Sequence, residues 1–196
     1  MKILHIVHGF PPESVGGTQV YCEAVARALV SRGHTCTILA GTQEVRQAPE
    51  LVTTDQGGLK VTRCIGTLSD PIHWSPSRRA EAERLILTHL DEIRPDVVHV
   101  QHWVRLTSHI VAICKSRRIP TVVTLHDLWA ACPRGNRLRR DRVFCTDPIP
   151  SAPCVSCVVR KEGETDEEVA KELDIRQRLI SEELRLADQG LVPSEA

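Results

Sequence analysis

Along the chain, short apolar runs of strand length alternate with longer stretches in which apolar residues return at helical spacing. Ile3, Leu4, Ile6 and Val7 form the first run, which suits a strand buried on both faces. It stops at His8-Gly9, passes Pro11-Pro12 and reaches Gly16-Gly17. From about Thr18 a helix opens, with Val20, Ala24, Val25, Ala28 and Leu29 at helical spacing and Gly33 just past its end. Thr35–Ala40 reads as a second strand, residues 43–58 as a polar loop or a hairpin through Gly57-Gly58, and Leu59–Ile65 as a third strand. A loop with Pro71 and Pro76 leads to a helix from about Ser77 to Ile93, whose Ala82, Leu85, Ile86, Leu90 and Ile93 share one face before Pro95 blocks it. Asp96–Gln101 is a fourth strand, residues 105–117 a helix with Leu106, Ile110, Val111 and Ile113, and Thr121–Leu125 a fifth strand. Residues 132–160 have no periodicity. Glu164–Ala187 reads as a long charged helix with Val169, Leu173, Ile180 and Leu184 on one face, and Gly190–Val192 begins one more strand. Ser194 has the character of a helix N-cap, as if a further helix followed.

Strands alternating with helices predict an α/β fold: a doubly wound, mainly parallel sheet with helices on both faces. In an order such as third-second-first-fourth-fifth, the first, fourth and fifth strands are neighbours. Their carboxyl ends carry His8, His102 and His126. Ligands of such sheets sit outside the carboxyl ends, where the strand order reverses, so the topology brings three imidazoles and the Gly16-Gly17 loop to one crevice. Taken singly, each histidine is equally well a hydrogen-bonded residue at a strand end.

Composition narrows the function. At 196 residues the chain can bury roughly 70% of its unfolded surface, so its core needs no staples. Lys+Arg and Asp+Glu balance at 25 each, which argues against a nucleic-acid or general membrane-surface binder. No apolar run approaches the roughly 18 residues of a membrane span, and the expectation is a soluble, cytoplasmic protein.

Strand, glycine loop and helix N-terminus together make an anion site, since the glycines expose backbone N–H groups and the helix end adds partial positive charge. The loop lacks the G-x-G-x-x-G pattern and its acidic partner, so no NAD is expected; no P-loop lysine follows either. Cys132, Cys145, Cys154 and Cys157 are spaced C-x12-C-x8-C-x2-C in a proline-rich segment. Four thiolates suit a structural zinc site, with an iron–sulfur cluster or free thiols as the other readings. Between the first two of these cysteines stand Arg134, Arg137, Arg139, Arg140 and Arg142, either a solvated surface or a grip on substrate phosphate or carboxylate groups.

H-G-F-P-P-E-S-V-G-G-T-Q-V-Y at 8–21, R-G-H-T-C-T-I-L at 32–39, P-D-V-V-H-V-Q at 95–101, T-L-H-D-L-W-A-A-C-P-R-G at 124–135 and the closing L-V-P-S-E resemble family-4 glycosyltransferases of the GT-B fold. The likeness runs over nearly the whole chain and points to the amino-terminal, acceptor-side domain, residues 1–196, with a Cys-rich insert at about 132–160. It implies one Rossmann-like half of a GT-B enzyme that moves a sugar from a nucleotide-sugar donor to a glycan or lipid-linked acceptor with retained configuration. A lipid-linked acceptor would bring the protein to a membrane surface. By the resemblance, His126 with Asp127 is the catalytic pair that faces the donor sugar. Gly16, Gly17 and Thr18, with His8, His102 and Arg134, surround donor and acceptor. The donor-binding machinery belongs to a carboxyl-terminal domain outside this chain, so residues 1–196 alone are expected to be inactive. The alternative is a non-catalytic sugar- or anion-binding module with a zinc-stapled loop.

Overall fold

A computed structural model describes residues 1–66, 74, 80–148 and 152–193. The expected loop at Pro71 and Pro76, the helix start at Ser77 and the cap at Ser194 lie outside the described residues. β1 (Lys2–Val7) is central, pairing in parallel with β2 (Thr35–Gly41) on one side and β5 (Val97–Val100) on the other. β4 (Leu59–Ile65) lies outside β2 and β6 (Thr121–Thr124) outside β5, which is the expected order. Two edges complete a seven-stranded sheet. β3 (Glu50–Gln56) runs antiparallel on β4, and β7 (Gln189–Leu191) runs parallel on β6. The β3–β4 turn is Gly57-Gly58, both at positive φ (58° and 85°), the conformation that a tight hairpin needs and glycine supplies. The hairpin alternative for residues 43–58 is therefore the observed one.

The strands alternate between two cores. Ile3, Val7, Ile38 and Val61 meet Cys22 and Ala26 of α1 (Gly17–Val30). Leu4, Ile6, Val98 and Val100 meet the helices of the other face, α2 (Ala80–Ile93), α3 (Ile110–Ser116) and α5 (Asp166–Leu186). Helices thus cover both faces. The buried face of α1 differs from the expected one. It is Gln19, Cys22 and Ala26, while Val20 stays 53% exposed. Small side chains let the helix lie close to the sheet, and Gln19 is spent at the strand ends.

α3 begins at Ile110, later than the 105–117 reading. Arg105 sits at φ 64°, outside helical space, and Leu106 is buried in the turn before the helix. The short helix is held from α5. Buried Glu183 accepts from the amides of Val111 (2.6 Å) and Ala112 (2.9 Å) and from Trp103 Nε1 (2.9 Å). Burial pushes its carboxyl pKa up, and these three donors pull against that.

α5 opens on a capping box. Thr165 Oγ1 accepts from the Glu168 amide, and Glu168 Oε2 accepts from the Thr165 amide at 2.8 Å. Its buried stripe is Val169, Leu173, Arg176, Ile180 and Glu183, so two charged residues occupy core positions of an otherwise apolar seam. The segment at 132–160 is more ordered than its lack of periodicity predicts. It contains α4 (Ala152–Cys157), and Cys154 and Val158 pack on Val169, Leu173 and Trp74. Among the described residues no helix is long and apolar enough to cross a membrane.

Candidate functional site

The winding of the sheet reverses between β1 and β5, and the residues that leave those two strands meet there. The His8 and His102 rings lie 4.6 Å apart, edge to face. Gln19 of α1 donates from Nε2 to His8 Nε2 (3.0 Å) and to Ser14 Oγ (3.1 Å), and the Val104 amide donates to His102 Nδ1 (3.2 Å). The His102 ring also packs on Trp129, with centroids 4.8 Å apart.

His126 leaves β6 one strand further on. Its Nε2 donates to Gln101 Oε1 at 2.6 Å, and its ring meets Tyr21 of α1 at 4.9 Å. Burial lowers its pKa, and Asp127 pulls the other way. The net shift is downward, so the ring is neutral near pH 7 and Nδ1 carries a lone pair. The Asp127 carboxylate accepts from the Trp129 amide at 2.7 Å, which fixes the turn into the Cys-rich segment.

A pocket of about 630 Å³ opens at this end of the sheet, with His8, His102, Arg105, Asp127, Trp129 and Arg134 among its walls. Of the residues singled out in the sequence, the fold therefore brings His8, His102, Asp127 and Arg134 around one cavity. His126, Gly16, Gly17 and Thr18 stand outside that lining, with Tyr21 of the glycine-loop helix against the His126 ring. Gly16 is the N-cap of α1, with no side-chain cap and no acidic residue in the first turn, so the amide end of the helix is left uncompensated. A Cβ on Gly16 would come within 2.8 Å of Gln19 Oε1. Glycine there lets Gln19 fold back toward His8.

Several residues of the site had no signature in the sequence. Gln19 and Gln101 orient the histidines. Trp129 is a plate between His102 and Arg176, whose guanidinium sits 4.3 Å from the indole centroid and donates to the Trp129 carbonyl. Burial pulls the Arg176 pKa down to about 10, which leaves it charged at neutral pH. Arg105 reaches under the crevice and donates to the His8 carbonyl at 3.2 Å. Gly41 makes room for it: a Cβ there would stand 2.8 Å from Arg105 Cβ. The one legible signal was the placement of Arg176 and Glu183 on the apolar seam of α5.

The zinc expectation finds no support in the structure. Cys132, Cys145, Cys154 and Cys157 do border a common void of about 20 Å³, but no disulfide joins any of the eight cysteines. Among the described residues no three His, Cys, Asp or Glu side chains form a group that could hold a metal ion. Cys145 points its thiol at Asp147 Oδ2 (3.7 Å) instead. Arginines fasten the insert. Arg137 donates to the carbonyls of Cys145 and Asp147 (2.8 Å each), Arg139 pairs with Asp147 (2.5 Å), and Arg140 donates to the Val158 carbonyl (2.7 Å). The C-x2-C spacing places Cys154 and Cys157 one turn apart on α4, without a metal-ligand set around them.

The profile described as Glycosyltransferase Family 4 matches residues 15–164. The comparison with curated proteins gives no match. Among solved structures, the sucrose-phosphate synthase of Thermosynechococcus elongatus aligns at 13% identity with a TM-score of 0.51, covering 97% of this chain and 42% of that one. The α,α-trehalose 6-phosphate synthase of Burkholderia multivorans aligns at 14% identity with a TM-score of 0.51, covering 97% and 39%. The UDP-forming α,α-trehalose-phosphate synthase of Burkholderia xenovorans, in complex with glucose-6-phosphate, aligns at 11% identity with a TM-score of 0.50, covering 97% and 40%. At these identities the likeness is one of fold, and the chain spans less than half the length of each.

Proposed function

The chain belongs to glycosyltransferase family 4, and we propose that it forms the acceptor-side, amino-terminal half of a retaining GT-B enzyme that moves a sugar from a nucleotide-sugar donor to an acceptor. The observation that carries this reading is the crevice at the β1/β5 reversal. There His8 and His102 wall a pocket next to His126, and α1 brings its bare amide end to the same side. Sugar transfer builds negative charge on the departing nucleotide diphosphate and positive charge on the sugar. The amides of Gly17 and Thr18 at the start of α1 suit the first. Neutral His126, held through Gln101, offers a polar contact to the second, with Asp127 beside it.

Retention without a protein nucleophile fits attack from the face that the diphosphate leaves, in which the departing oxygen itself takes the acceptor proton. In that mechanism the residues of this half position and stabilise; they do not bond to the sugar. Most of the donor contacts come from a second, carboxyl-terminal domain, and residues 1–196 alone bind donor weakly and do not turn over. We place the enzyme in the cytoplasm, where its eight free thiols stay reduced.

The test is His126→Ala in the complete enzyme. Loss of one preorganised contact to the developing charge is expected to lower kcat at saturating donor by about a hundredfold, with the melting temperature nearly unchanged. Activity within about twofold of the parent would remove His126 from the chemistry.

A further inference from the structure

Five arginines crowd the stretch between Cys132 and Cys145, and four of them border cavities. Arg137 and Arg139 turn inward, border the small void beside the cysteines and bind Cys145 and Asp147. Arg140 and Arg134, which also borders that void, line the 630 Å³ pocket, and Arg105 lines it as well. Three guanidiniums thus wall a cavity whose lining, among the described residues, includes one carboxylate, Asp127, engaged by the Trp129 amide. The excess is local, since the whole chain carries no net charge.

Two of the three donate to backbone carbonyls. Arg105 donates to the His8 carbonyl (3.2 Å), and Arg140 to the carbonyls of Val158 (2.7 Å) and Cys157 (3.5 Å). A carbonyl holds a guanidinium in place without cancelling its charge. Glu13 also acts on Arg105, but its carboxylate is shared with Arg63 (3.2 Å), Thr42 and the Gln43 amide (3.1 Å). Arg105 further occupies left-handed backbone space at φ 64°, and it needs Gly41 to fit. Partial burial and the bond to the His8 carbonyl set Arg105 apart from a solvated surface arginine. Trp74 and Trp129 also border the cavity, each nearly buried.

Aromatic groups bordering a pocket suit the C–H groups of a sugar, and forked donors suit an oxyanion. We infer that the pocket takes an anionic sugar as acceptor, a sugar bearing a phosphate or carboxylate group, with Arg105, Arg134 and Arg140 gripping that group. The inference rests on the transferase reading, which makes this pocket the acceptor side, and it names the class of acceptor.

The test is calorimetric titration of the 196-residue chain with paired probes: glucose and glucose 6-phosphate, fructose and fructose 6-phosphate, glucose and glucuronate, and inorganic phosphate alone. A charge-assisted bidentate contact predicts that the anionic member of each pair binds about tenfold or more tightly than the neutral one, and more tightly than inorganic phosphate. The preference shrinks in high salt. Arg134→Gln, at an exposed position that does not hold the fold, reduces the preference, and Arg105→Gln with Arg134→Gln removes it. Equal binding within pairs, no binding by any probe, phosphate alone binding as tightly as the sugar phosphates, or a preference that survives both substitutions would each overturn the inference. Failure here is separable from failure of the transferase reading. A complete enzyme that glycosylates neutral acceptors keeps the reading and loses the anionic acceptor. Anionic sugars bound by a protein that never consumes a nucleotide-sugar retain the pocket's ligand class and lose the reaction.

Discussion

Between pH 6.5 and pH 4.5 the protein is expected to lose on the order of 5 kcal/mol of stability, from two buried histidines that the proposed chemistry does not use. His5 of β1 and His99 of β5 are register partners on the sheet, with ring centroids 5.3 Å apart. Burial, reinforced by the neighbouring ring of His99, lowers the His5 pKa to about 3. Burial, with His126 nearby, lowers that of His99 to about 4. Among the described residues neither ring nitrogen of His5 has a hydrogen-bond partner, while His99 Nε2 meets Thr124 Oγ1 at 2.7 Å.

Both rings are neutral when folded and take up protons near pH 6.5 when unfolded. The stability they confer is whole above that pH and declines as the pH falls toward 4. Each ring contributes a slope of about 1.4 kcal/mol per pH unit in that window. Urea unfolding at pH 7, 5.5 and 4.5 measures it, and His5→Leu should roughly halve the slope. A stability that is flat over this range would show that the histidine pair is hydrated or already protonated in the folded protein.

The second large effect concerns Glu183. Removing its carboxylate with Glu183→Ala strands the amides of Val111 and Ala112 and the indole N–H of Trp103, two buried donors and one part-buried. An unsatisfied buried donor costs about 1–3 kcal/mol, so the expected loss is roughly 3–5 kcal/mol in all. For a domain of this size that corresponds to a fall in melting temperature of about 6–20 °C. Glu183→Gln keeps one acceptor oxygen and should recover a substantial part. A loss below about 1 kcal/mol for the alanine variant would mean that water replaces the carboxylate and that α3 does not depend on α5.

These two sites also mark how far the sequence could be read. β1, β2, β4, β5 and β6 were legible because each is a run of apolar or alternating residues, and their order followed from alternation with helices. β3 was not singled out as a strand, because an edge strand such as ELVTTDQ buries no residue fully and leaves little pattern behind. The buried face of α1 was misplaced because Gln19 takes a position that periodicity reserves for apolar groups. His8 and His102 could be brought together from topology alone, since a reversal of strand order fixes which ends are neighbours. Gln101, Arg105 and Trp129 could not, because their roles depend on a bond to a histidine, a backbone twist beside Gly41, and the plane of a ring. Metal-ligand spacing was a weak guide: the four cysteines border one small void, yet among the described residues they form no group that could hold a metal ion.

The measurement that bears most directly on the central claim is sugar transfer by the protein encoded by the complete reading frame, followed by NMR of the product's anomeric proton. A panel of nucleotide-sugars is to be offered with neutral and anionic acceptors, and the 196-residue chain assayed alongside. The predicted result is transfer by the complete protein with the donor's anomeric configuration retained, and none by residues 1–196 alone. Inverted configuration, or a complete protein that consumes no nucleotide-sugar, would contradict the account and leave the crevice of His8 and His102 as a binding site without chemistry.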